Sequence, residues 1–361
     1  MANIRSSFMS SKIAVFTCLL IGIVAGEPET PPPHSVVEWQ GRTMGSPYSV
    51  KVVDGGLSEG DVAALKLEIE QTLVEINRQM SNYQPDSELS LFNRAPAKVP
   101  FKVSPEFAKV VRVALQASRF SEGAFDPTLG PLINLWGFGE KTANHVVPDE
   151  KTLRATMAKV GWNHLEVSDA NELIKDSPDI ALDLGGVAKG YGVDRMIDVL
   201  RAHGLKNLYA AIAGEVRVLG YNPRGAKWML GVSMPVDHWR EDNPMAAMVS
   251  ISDKALSTSG DYQKFFIDAS GRRLCHIIDP RTGSPVSHGL ASVTIIGPDS
   301  TTADALSTSL FVLGPVEGMK KIESREDCAA LFILREQDGS YRQLASTRFE
   351  QLTGYKPVPG K

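Results

Sequence analysis

Apolar residues recur at steps of three and four from Asp61 to Met80, at Val62, Leu65, Ile69, Leu73, Ile76 and Met80. That is the seam of an amphipathic helix, and it predicts a helix over 61–80 packed on a sheet. A second helix is announced by Ser104-Pro105-Glu106, a capping hydroxyl with proline in the first turn, and carries Phe107, Val110, Val111, Ala114 and Ala117 on one face before Gly123. Helices are also expected over 149–160, over 187–203 up to Gly204, and over Thr302–Leu313. Short apolar or alternating runs predict a hairpin around Gly45 within 38–55, strands at 164–168 and 179–184, and a series of strands between 208 and 297. A further strand, 329–336, follows the last helix. Residues 126–139 hold too many Gly and Pro for regular structure and read as an ordered loop or short helices. Helices and strands interleave without a regular βαβ repeat or a period of 20–50 residues. The fold class is therefore α+β, a two-lobed unit over 40–355 whose mixed, largely antiparallel sheet is flanked by helices.

The first 26 residues stand outside that scheme. Arg5 and Lys12 precede an apolar run from Ile13 to Gly26 that is too short to cross a bilayer and ends in small residues. This predicts a secretory signal peptide, 1–26. Cys18 offers an alternative, a lipid anchor, although Phe16 and Thr17 suit one poorly; only such an anchor would tie the chain to a membrane. Pro31–Pro33 mark 27–39 as an extended spacer.

Charge and cysteine content narrow the function further. The formal net charge is −4, from 38 basic and 42 acidic side chains with no basic tract, which argues against a nucleic-acid partner. Beyond the signal only Cys275 and Cys328 remain, as a disulfide or as two buried thiols, and no Cys/His cluster exists for zinc or haem.

Three segments carry candidate chemistry. In 180–192 a strand would deliver Asp183, then Gly185-Gly186 turn the chain into a helix whose free amides, with Lys189, suit a phosphate or diphosphate; a plain strand-to-helix turn with an exposed lysine reads equally well. It matches neither a Walker loop nor a Rossmann fingerprint. In 301–308, Asp304, Ser307 and Thr308 share one helix face and form an oxygen donor set for a hard cation such as Mg²⁺, or else serve the helix backbone itself. In 275–283, His276, Asp279 and Arg281 stand at a strand end, ready for acid-base work or merely forming a good turn. Weaker candidates are Tyr83, the stretch Ala124-Phe125-Asp126-Pro127, and Ser257–Tyr262, read as a loop; Ser259 lacks the context of a hydrolase nucleophile.

Read together, Thr43-Met44-Gly45, Met80–Tyr83, Phe125–Leu132, Asp183–Tyr191, Thr258–Tyr262, His276–Gly283 and Ala303–Thr308 resemble, in order, the ApbE family of FAD:protein FMN transferases. The resemblance covers nearly all of the chain after the spacer. It implies a periplasmic enzyme of T-fold-related architecture that binds FAD, cuts its diphosphate with Mg²⁺, and joins the FMN half to a Thr or Ser hydroxyl of a partner as a phosphoester, releasing AMP. The implied acceptors are subunits of membrane redox complexes, Nqr/Rnf-like. Matched position by position, the resemblance implies that Met44, Tyr83, Ala124, Phe125, Asp126, Asp183, Lys189 and Ile278 line the FAD site. It implies that the Gly186 carbonyl with Asp304, Ser307 and Thr308 holds the metal, and that Asp183 and His276 handle the proton. Two departures stand out: Ala213-Gly214-Glu215 where the family often shows two glycines and an acid, and Pro47 after Gly45-Ser46. An FAD pyrophosphatase and a non-catalytic flavin-binding module remain open beside the transferase.

Overall fold

The structure is a computed structural model, and it describes residues 34–139, 145–237 and 244–357. The expected signal peptide, Cys18 and Pro31–Pro33 lie outside the described residues. In chain order the elements are β1 (Val36–Thr43), β2 (Ser46–Val53), α1 (Glu59–Met80), α2 (Glu88–Arg94), β3 (Phe101–Lys102), α3 (Pro105–Phe120), α4 (Gly130–Leu135), α5 (Glu150–Met157), β4 (Leu165–Val167) and β5 (Glu172–Lys175). Then follow α6 (Ala188–Ala202), β6 (Asn207–Ile212), β7 (Glu215–Leu219), β8 (Trp228–Ser233), β9 (Met245–Ile251), β10 (Lys254–Gly260), β11 (Phe265–Ile267) and β12 (Arg273–Cys275). The chain ends with β13 (Ile278–Asp279), β14 (Ser284–Pro285), β15 (Leu290–Gly297), α7 (Ser300–Glu323), β16 (Ala329–Arg335), β17 (Tyr341–Ala345) and α8 (Thr347–Thr353).

Eight strands form the main sheet in the order β1-β2-β6-β7-β10-β15-β16-β17, with every ladder antiparallel. Alternation along each strand divides its side chains between the two faces of the sheet. Leu208, Ala210 and Ile212 of β6 join Val50 and Val52 under α1, α3 and α6. Tyr209 and Ala211, with Val216, Leu331 and Ile333, face the β8–β9 hairpin and Phe349 of α8. Val293, Ile295, Ala330 and Phe332 pack on Leu306, Leu310 and Phe311 of α7. The result is a three-layer α+β unit with α6 and α7 lying together on the helical side. Among the described residues no helix is long and apolar enough to cross a membrane.

Local signals explain the helices. Ser58 and Asp61 form a reciprocal capping box that starts α1, and Ser104 accepts from the Phe107 amide at the start of α3. The hairpin turns at Met44 and Gly45, both with positive φ, of 49° and 71°.

Several expectations need correction. Residues 179–184 are not a strand: Asn93 bonds both backbone groups of Leu182 through its side chain, and Asp183 N–H donates to the Pro127 carbonyl. The neighbouring strand is β5 instead. Ser257–Gly260 lie in β10 rather than in a loop, paired with β15. The last helix runs ten residues past Leu313, across a break at Gly314, φ 78°. Sheet pairing begins at Val36, inside the stretch read as spacer.

Candidate active site

The turn that carries Asp183 is held by side chains rather than by a ladder. Lys175, 1% exposed, donates from Nζ to the carbonyls of Asn93, Pro178 and Ile180, while Asn93 grips Leu182. Beyond it, Asp183 Oδ1 accepts from Gly185 N–H at 2.8 Å. Burial raises the Asp183 pKa, opposed by that bond, by Asn82 and by the charge of Lys264.

Gly186 then passes between two walls. A Cβ there would stand 3.0 Å from Phe125 Cε2 and 3.3 Å from Thr308 Oγ1, so the glycine turn and the hydroxyl face of α7 meet at this point. Four residues on, Gly190 lets α6 touch α7: a Cβ would lie 2.2 Å from the Ser300 carbonyl oxygen. The two helices also cap each other. No side chain of α6 caps its own start, and Asp304 Oδ2 of α7 accepts from Gly190 N–H at 3.0 Å. In return Asp194 of α6 accepts from the amides of Ser300 and Thr301 at 2.9 and 2.8 Å and pairs with Arg217 at 2.8 Å. Each carboxylate satisfies amides that a helix start leaves without partners.

Asp304, 3% exposed, keeps Oδ1 beyond its bond to Gly190. Burial pushes its pKa up to about 7, with Lys189 opposing and Glu215 adding to the rise. Ser307 is fully buried, donates to the Asp304 carbonyl at 2.9 Å and lies 2.8 Å from Ser259 Oγ. Thr308 Oγ1 is 3.0 Å from the same Ser259 hydroxyl. One carboxylate oxygen and these hydroxyls form an all-oxygen donor set beside Gly186. Among the described residues no group of three His, Cys, Asp or Glu side chains can hold a metal. The set therefore fits a hard cation that retains water or phosphate oxygens, as Mg²⁺ does, and not zinc.

Lys189 points from the first turn of α6 to Glu215 Oε1 at 2.7 Å. Burial works against the ammonium, yet Glu215 and Asp304 together hold its pKa above the ordinary value. His276 lies nearby: burial and the charges of Lys264 and Lys189 push its pKa down to about 4. Its Nδ1 sits 3.2 Å from the Lys264 carbonyl, which calls for a proton on Nδ1 and leaves Nε2 as the acceptor.

The residues expected around a flavin nucleotide are not alike. Met44 reaches α6, its Cε 3.2 Å from where a Cβ on Gly192 would stand. Ala124 and Phe125 are buried, and Tyr83 is 67% exposed beside Asn82. Asp126 is committed internally, accepting from Thr128 N–H and Oγ1 and from Trp162 N–H, although burial still raises its pKa. Ile278 belongs to an apolar cluster with Leu132, Trp136 and Leu274. Gly186 thus meets Phe125 and Thr308, Asp304 meets Gly190 and Ser307, and Asp183 is tied to the same turn through Gly185. Lys189 reaches the group beside Glu215, and His276 comes near through Lys264 and Lys189, while Tyr83 is exposed and Ile278 lies in the apolar cluster around Leu132 and Trp136. Sequence reasoning missed Glu215, Asp194, Lys264 and Lys175. Only Glu215 carried a signal, as the acid after Ala213-Gly214.

Comparisons with known proteins show the family of the chain. The model of the ApbE family matches residues 44–332. The chain is 39% identical over 319 residues to the FAD:protein FMN transferase of Vibrio cholerae, spanning 88% of this chain and 93% of that protein. Its structure is similar to that of the flavin transferase ApbE from Vibrio cholerae, with a TM-score of 0.80 at 37% identity, covering 89% of this chain and 100% of that one. It is equally similar to the apo Pseudomonas stutzeri flavinyl transferase ApbE, with a TM-score of 0.80 at 35% identity over 90% and 98% of the two chains.

Proposed function

The chain belongs to the ApbE family, and from that premise we propose that it transfers FMN from FAD to a Thr or Ser hydroxyl of an acceptor protein, in a Mg²⁺-dependent reaction that releases AMP. The observation that carries the reading is the meeting of Gly186 with Thr308, beside the bond from Gly190 N–H to Asp304. A glycine turn suited to phosphate and an oxygen-rich face suited to a hard cation adjoin each other there.

Asp304 Oδ1, Thr308 Oγ1, Ser307 Oγ and the Gly186 carbonyl would hold the ion. When bound, Mg²⁺ supplies positive charge to the diphosphate oxygens. Lys189 adds a fixed cation at the same wall. The acceptor oxygen attacks the phosphorus of the FMN half, the bond to the bridging oxygen breaks, and AMP departs with that oxygen. The hydroxyl proton goes to His276 Nε2, which is neutral and free to accept near pH 7, or to the Asp183 carboxylate. The apolar run after Arg5 and Lys12 supports export to the periplasm, where subunits of membrane redox complexes of the Nqr/Rnf kind would be the acceptors.

The test is incubation with FAD, Mg²⁺ and a polypeptide bearing the acceptor hydroxyl. Acid-stable flavin on the polypeptide with equimolar AMP is expected. Free FMN and AMP would instead mean a pyrophosphatase, and intact FAD on a yellow protein would mean a binding module.

A further inference from the structure

Lys189 stands between two acids and pairs with only one. Its ammonium is 2.7 Å from Glu215 Oε1 and makes no ion pair with Asp304 among the described residues, although each feels the other's charge. The two residues are close in the fold: Lys189 precedes Gly190, whose N–H Asp304 accepts. A four-carbon stem anchored there has the reach to swing its ammonium to Asp304 Oδ1. What prevents this is Glu215, the first residue of β7, paired with Ile212 across the Ala213-Gly214 turn. Its side chain is 6% exposed, so the carboxylate is presented from a fixed sheet position and cannot follow a moving partner. Its second oxygen, Oε2, is buried and has no hydrogen-bond partner among the described residues, where Lys189 alone forms an ion pair with this carboxylate.

We propose that Glu215 is a positioning residue: it holds Lys189 away from Asp304, and so keeps Asp304 Oδ1 available to the divalent cation. Charge supports the arrangement. Two carboxylates and one ammonium leave one net negative charge, which a divalent ion converts to one net positive charge facing a diphosphate. With Glu215 neutral, Lys189 has Asp304 as its one remaining acid, and the ammonium takes the position the cation needs.

The inference rests on the reading that Asp304 holds a cation, and the experiment separates the two. Mg²⁺ alone is titrated calorimetrically into the wild-type protein, Glu215→Gln, Lys189→Met and the double variant, each first shown to be folded by its melting transition. The wild type should bind Mg²⁺, and Glu215→Gln should weaken binding roughly 10–100-fold, as outer partners of metal ligands do. In the Lys189→Met background, where no ammonium is left to swing, adding Glu215→Gln should change affinity less than about threefold. Equal losses in both backgrounds overturn the proposal, because long-range charge alone acts additively. Undiminished binding by Glu215→Gln overturns it as well. A wild type that binds no Mg²⁺ sinks the cation site itself and this inference with it. The Lys189→Met pair keeps the test decisive even if Glu215→Gln alone folds poorly.

Discussion

Replacing Gly190 by alanine asks whether α6 and α7 must touch for the site to work. The new methyl would stand 2.2 Å from the Ser300 carbonyl oxygen, 2.7 Å from its carbon and 2.8 Å from Asp304 Cβ. Backbone atoms cannot turn aside as the tip of a side chain can, so the helices must part by about 1 Å before the contact becomes ordinary. Such overpacking costs about 1–3 kcal/mol, and the better helix propensity of alanine returns up to about 1 kcal/mol. The net loss of stability is about 0–2 kcal/mol, a drop of a few degrees in Tm. The site suffers more. Parting the helices draws Asp304 from Gly190 N–H, now 3.0 Å away, and moves its carboxylate relative to Gly186 and Thr308. A displacement of about 1 Å in a positioning group lowers turnover on the order of 100-fold. FMN transfer at saturating Mg²⁺ and FAD, with calorimetric melting beside it, measures both effects. Gly192→Ala is the control, since its methyl meets Ile212 Cδ1 at 2.8 Å, Met44 Cε at 3.2 Å and Leu73 Cδ2 at 3.6 Å, all flexible tips. If Gly190→Ala turns over like the wild type while folded, the contact between the helices does not assemble the site.

His276 should titrate near pH 4 in a histidine NMR series, against an ordinary value of 6.5. Because the folded pKa lies below the unfolded one, its contribution to stability is full above pH 6.5 and is lost as pH falls from 6.5 to 4, by up to about 1.4 kcal/mol per unit before discounting for partial exposure. A midpoint at or above 6.5 would contradict its burial beside Lys264. Ala213→Gly should raise stability by about 1 kcal/mol in urea denaturation, since alanine at φ 52° sits in a region that favours glycine; a destabilised variant refutes that account of the turn. Lys175→Met strands the buried carbonyls of Asn93, Pro178 and Ile180 and should cost about 3 kcal/mol, with weaker FAD binding because the Asp183 segment loosens. A loss of only tenths of a kcal/mol, with FAD affinity intact, would show that this pin does not matter.

Elements with one-sided patterns and local caps were legible from residues alone. The seam of α1 and the Ser104-Pro105 start of α3 need no distant partner to be recognised. Residues 180–184 misled because Ile180, Leu182 and Leu184, each 1% exposed, alternate as strand residues do, while their backbone partners are a side chain and an irregular carbonyl far along the chain. Strand β10 was hidden by its own polar residues: Ser257 is fully buried and Thr258 bonds Thr294 across the ladder. For the site, spacing alone placed Asp304, Ser307 and Thr308 on one face. Their approach to Gly186 is set by how two helices pack, and no local pattern encodes that. Asp194 reads as an ordinary polar position because its partners are supplied by other elements, and Glu215 stood out only as the acid after Ala213-Gly214, with nothing in the sequence to pair it with Lys189.

The exchange of carboxylates between α6 and α7 has a consequence for the order of events. Asp304 is anchored by a main-chain donor of its neighbour, and Asp194 returns the favour, so neither helix can slide without uncovering a buried anion on both sides. The Asp304 carboxylate is consequently preorganised by the protein alone. Under the proposed function, the free energy of nucleotide and cation association would not be consumed in building that wall.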